Sequence, residues 1–197
     1  MESDSLTVAR HEAAHALAAL ILGIPSTSVT IESAGGVAGH VQFSRESDDG
    51  SVLAGVSAAT EQDRRVGRHW IRTLLNGPLT VGADAGGAGN DLIEAGEIAL
   101  VLSGSDLDRA AREVANAWAW CDCLKTDSGY RACLQRLVDA LIAERTVQAA
   151  AVEALGRGGP THLPRRRWER FRPGVDMRLI IDAVIAERAA RGGGHRS

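Results

Sequence analysis

The chain has 197 residues, 45% of them hydrophobic and 24% charged, with 22 Lys+Arg against 25 Asp+Glu, which excludes a disordered tail and suits one compact domain with at most a short appendix. A formal net charge of −3 gives no global attraction to nucleic acid or an anionic membrane. Aromatics at 4% beside abundant Ala, Leu and Val favour helix over a β-sandwich or barrel, so the expected fold is mainly α with a small β-hairpin or sheet.

Apolar residues recur at helical spacing over residues 6–22, with Asp4 or Ser5 as cap and Gly23 and Pro25 as stop. Residues 28–32 and 37–43 are β-prone runs around Gly35 and Gly36 and read as a hairpin, followed by an acidic loop over 44–51. Residues 52–75 are helical in composition despite Gly55 and Gly67, and a glycine-rich linker over 77–89 follows. Helical periodicity returns over 91–102, with Asn90 as cap, and two longer helices are expected over 106–125 and 131–155. A break at 156–160, an arginine-rich stretch over 164–173 and a last helix over 175–191 complete the chain.

Cys121, Cys123 and Cys133 are an odd set without C-x-x-C spacing, which points to core thiols and a reducing cytoplasm. The apolar run over 13–24 follows an acidic leader with Glu2, Asp4 and Glu12 against Arg10, whereas a signal peptide has a basic one. It is interrupted by His15 and is shorter than the roughly 20 residues that span a bilayer. No phosphate loop of the G-x-x-x-x-G-K-[ST] type is present and Lys125 is the sole lysine, so no ATP-binding site of that type is expected.

The chemistry is concentrated in His11-Glu12-Ala13-Ala14-His15, an H-E-x-x-H sequence inside the first expected helix. Histidines at i and i+4 share a helix face, so both imidazoles can reach one Zn²⁺, while Glu12, offset by one position, can serve as general base. A metzincin would continue with Gly and His where Ala18 and Ile21 stand, which excludes that class. Glu32 falls in an expected strand, leaving Asp84, Asp91, Glu94 and Glu97 as candidates for the third ligand. Asp91 lies at a helix start, where free backbone N–H groups favour a carboxylate.

These residues resemble the peptidase domain of the FtsH family of ATP-dependent zinc metalloproteases. Val8-Ala-Arg-His-Glu-Ala-Ala-His-Ala-Leu17 is similar to the family's zinc helix, and Val29-Thr-Ile31 with Gly35-Gly-Val-Ala-Gly39 to the strand and glycine segment after it. Gly87-Ala-Gly-Asn-Asp-Leu92, with Ala95 and Glu97-Ile-Ala99, resembles the block whose aspartate is the third zinc ligand, and this match selects Asp91. A looser likeness runs from Leu137 to Leu155. Ala14 stands where the family has glycine, Leu75-Asn-Gly-Pro-Leu79 replaces its Ala-Glu-Glu-like segment, and Glu32-Ser-Ala-Gly35 replaces its Pro-Arg-Gly pattern.

The resemblance, which covers roughly residues 6–155, implies a zinc endopeptidase domain over 1–155, while residues 156–197 read as an arginine-rich linker and C-terminal helix, an appendix to the same domain. It implies Zn²⁺ held by His11, His15 and Asp91, with Glu12 catalytic and an unfolded or flexible polypeptide lying along the strand at Gly35, Gly36, Gly39 and His40. The ATPase and transmembrane parts of the family are not in the sequence, and likeness to a ring-forming family implies self-assembly into a homo-oligomer. A rival reading keeps the fold as an inactive regulator or binding module. Another makes the chain a helical adaptor working through Arg165-Arg-Arg-Trp-Glu-Arg-Phe-Arg172, although in a chain with one lysine this run reads as a solvated linker rather than a nucleic-acid contact. Arg64, Arg65, Arg68 and Arg72 around His69 and Trp70 read as a solvated face with an apolar anchor.

Overall fold

The structure is a computed structural model that describes residues 2–34, 37–44, 56–82, 88–159 and 177–193. Among them are seven helices and three strands: α1 (Glu2–Leu22), β1 (Ser26–Ala34), β2 (Val37–Phe43), α2 (Glu61–Val81), α3 (Ala88–Ser103), α4 (Leu107–Thr126), α5 (Ser128–Glu144), β3 (Thr146–Gln148), α6 (Ala149–Gly156) and α7 (Arg178–Gly193). The protein is mainly helical, with a small antiparallel sheet in the order β2-β1-β3. No described helix is long and apolar enough to cross a membrane.

α1 is the central column. Every residue from 11 to 19 is buried, because Ala9, Ala13, Ala14, Ala16, Ala18 and Ala19 make a helix thin enough to be packed on all sides. It lies against α2, α5, α6, β1 and β2. Val29, Val41 and Val147 stand side by side across the three strands and are all buried, while α3 packs against α2. α7 docks on α3 and α4 through buried Ile181 and Val184, with an Arg188–Glu97 ion pair at 3.3 Å.

Local chemistry sets several boundaries. Thr60 and Asp63 form a reciprocal capping box at the start of α2. Asp106 caps α4 by accepting from the Arg109 N–H, and Asp127 caps α5 by accepting from the Tyr130 N–H, each satisfying a backbone donor that the helix start leaves free.

Four expected boundaries are corrected. α1 begins before Asp4 and Ser5, which therefore lie inside it; a first-turn acid is favoured by the helix dipole without being the cap. α2 starts only at Glu61 and then runs through Asn76-Gly77-Pro78, which had the look of a linker. Packing of this turn against α1 outweighs its poor helix propensity, and Pro78 lies near the C-terminal end, where it removes one hydrogen bond. Asn90 lies within the first turn of α3 rather than capping it. The helix expected over 131–155 is broken at Arg145, which takes a left-handed φ of 63° so that Thr146 and Val147 can pair with β1. The acidic stretch 45–50, Gly35, Gly36, Asp84 and the Arg165–Arg172 run lie outside the described residues.

Candidate metal centre

Three side chains converge from two helices. Nε2 of His11 lies 2.9 Å from Oδ2 of Asp91, Nε2 of His15 lies 3.2 Å from the same oxygen, and the two Nε2 atoms are 3.0 Å apart. The α-helical repeat stacks the two imidazoles on one face of α1, edge to face at 4.5 Å, and the first turn of α3 brings the carboxylate to them. In a tetrahedral N/O shell with bonds of about 2.0–2.1 Å, neighbouring ligand atoms are about 3.3–3.4 Å apart, close to this triangle. The donor set is two imidazoles and one carboxylate, and the group can hold a metal ion.

Three electron-rich atoms at this spacing need a positive charge between them. Burial lowers the His11 pKa, so this ring stays neutral. Burial also opposes charge on His15, but the Asp91 carboxylate outweighs it, with help from Glu12 and the Thr73 carbonyl, and holds the pKa at about 9. Burial would raise Asp91, yet His15 and His11 draw it down to about 2. In the metal-free chain the proton on His15 therefore occupies the role a cation would take.

The partners of the histidines differ. Nδ1 of His15 donates to the Thr73 carbonyl at 2.7 Å, which leaves Nε2 facing the cluster. Nδ1 of His11 is buried with no hydrogen-bond partner among the described residues.

Two glycines make the room. A Cβ on Gly77 would fall 2.3 Å from Nε2 of His15 and 2.9 Å from Cε1 of His11, so only glycine lets α2 lie against both rings. Gly39 has φ +87°, and a Cβ there would meet Val8, the Thr30 carbonyl and the Glu12 side chain. β2 is thereby pressed onto the helix beside Glu12. That glutamate is 7% exposed, and burial raises its pKa to about 7, with His15 lowering and Asp91 raising it.

Of the other candidates, His40 is exposed on β2, opposite Thr30. Glu97 is engaged by Arg188, and Glu94 is half-buried on α3. Trp70 is buried edge-on to Phe43, and Arg68 pairs with Glu113 and Glu61. Cys121 and Cys133 are buried free thiols and Cys123 is half-buried. Sequence reasoning missed Thr73, Asn76 and Gly77. Their i, i+3, i+4 spacing was the available signal, obscured by the Asn-Gly-Pro run. Comparison with known proteins gives no match, either to a family model or to a curated sequence.

Proposed function

We propose that the chain is a zinc-dependent endopeptidase of FtsH-peptidase type, acting on unfolded or flexible polypeptides. The observation that carries this reading is the convergence of His11, His15 and Asp91 beside a buried Glu12. His11 and His15 would hold zinc through Nε2 and Asp91 through Oδ2. Zinc, when bound, supplies Lewis acidity that polarises the scissile carbonyl and makes an attacking water more acidic. Glu12 accepts that water's proton on its carboxylate and returns it to the leaving amine nitrogen, a role suited to a carboxyl whose burial brings its pKa near neutrality. β2 pairs with β1 on one side alone among the described residues, so an extended substrate segment can add to its other edge close to Glu12. A strand-adding site favours segments that are already unfolded.

The test is zinc content by elemental analysis together with cleavage of a fluorescently labelled unfolded protein. The expected result is one zinc per chain, with hydrolysis that falls at least about a hundredfold in Glu12→Gln while zinc is retained. Cleavage unaffected by Glu12→Gln would overturn the mechanism, and zinc binding without any cleavage would overturn the peptidase reading.

A further inference from the structure

One turn of α2 grips the His15 region at three points. The Thr73 carbonyl takes the Nδ1–H of the ring, and Gly77 leaves the space occupied by its Nε2 edge. Between them, buried Asn76 donates through Nδ2 to the Ala14 carbonyl at 2.7 Å. That carbonyl belongs to the peptide unit joining Ala14 to His15, so the ligand is fixed through its backbone by Asn76 and through its ring by Thr73.

Asn76 is held in turn. The same Nδ2 donates to the Tyr130 hydroxyl at 2.7 Å, which ties the turn to α5. Because the Ala14 oxygen can only accept, the amide nitrogen must face it. Oδ1 of Asn76 is left buried without a partner among the described residues, a cost an apolar side chain would avoid. Core packing alone gives no reason for asparagine between Leu75 and Gly77.

We propose that Asn76 is a positioning residue for the metal centre, setting the rotation of α1 so that Nε2 of His15 meets His11 and Asp91. This rests on the metal-site reading above. Loss of a group that orients a metal ligand typically weakens metal binding about ten- to a hundredfold.

Cobalt(II) and zinc are the probes, used on the full chain well below its melting temperature. Asn76→Ala is expected to weaken both metals about ten- to a hundredfold in a chelator-competition titration and to alter the visible absorption of the cobalt form. Asn76→Asp keeps the side-chain shape without the amide donor, should behave alike, and serves where the alanine variant does not fold. Tyr130→Phe removes the other arm of the network while leaving the Ala14 bond. It is expected to lower the melting temperature but to keep metal affinity within about twofold and the cobalt spectrum unchanged. Wild-type affinity and spectrum in a folded Asn76 variant would overturn the proposal, as would equal losses in Tyr130→Phe. Failure of the wild-type chain to bind either metal would instead overturn the metal-site reading itself.

Discussion

His15 donates its Nδ1–H to the carbonyl of Thr73 at 2.7 Å, whereas the corresponding nitrogen of His11 is buried without a partner among the described residues. One ligand is oriented before any ion arrives and the other is not. Both His11→Ala and His15→Ala should abolish stoichiometric zinc, since two remaining ligands make a poor site. The metal-free proteins should differ, with His15→Ala melting lower because it removes both the bond to the Thr73 carbonyl and the charged partner of Asp91, which keeps only the neutral His11. Elemental analysis and melting curves in chelator check both statements.

The carboxylates of α3 separate cleanly. Asp91→Asn should remove zinc binding, while Glu97→Gln, which disturbs the Arg188 pair across to α7, should leave it within about twofold. Retention of zinc in Asp91→Asn, with loss in Glu97→Gln, would move the third ligand.

Gly77→Ala puts a methyl group where the imidazoles already lie. Overpacking of this kind costs about 1–3 kcal/mol of stability, and displacement of both rings should weaken zinc by at least about tenfold. Gly89→Ala in α3 meets nothing within 4 Å and should leave zinc affinity unchanged, with stability equal or slightly raised. Melting and competition titration on the pair would show whether crowding, rather than loss of a glycine, is responsible.

The pairing of Asp91 with His15 gives the metal-free protein a defined pH dependence. His15 is raised from 6.5 to about 9, so its contribution is complete below 6.5 and is lost as pH rises through 9. Asp91 is lowered from 3.8 to about 2, so its contribution is complete above 3.8 and is lost as pH falls through 2. The difference in stability between the wild-type chain and Asp91→Asn, both in chelator, should therefore be greatest from about pH 4 to 6.5 and shrink on either side. A difference that grows steadily toward alkaline pH would show that His15 is not held charged by Asp91.

The H-E-x-x-H helix was legible because its chemistry is local: the residues and the helical repeat together define the shared face. The hairpin of β1 and β2 was legible for the same reason, from two short β-prone runs on either side of Gly35 and Gly36. β3 was not, since Thr146-Val147-Gln148 sits in a helical composition and becomes strand only by pairing with residues more than a hundred positions earlier. The Asn76-Gly77-Pro78 turn misled in the opposite direction, because its helix-breaking composition is overridden by contacts to α1. Asp91 was separated from its acidic neighbours by its place at an expected helix start and by resemblance. The convergence of Asp91 on the two histidines is a matter of tertiary structure.

Thr30 pairs with Thr146, so one side of β1 waits for residues made 116 positions later. At ribosomal rates of about 5–20 residues per second, that delay is roughly 6–23 s, much longer than a hairpin needs to form. During synthesis the middle strand therefore carries an unpaired edge, and the alanine face of α1 lacks part of its cover. A cell making this protein must shield that edge or tolerate its self-association, and slowing translation between codons 34 and 146 should raise the insoluble fraction.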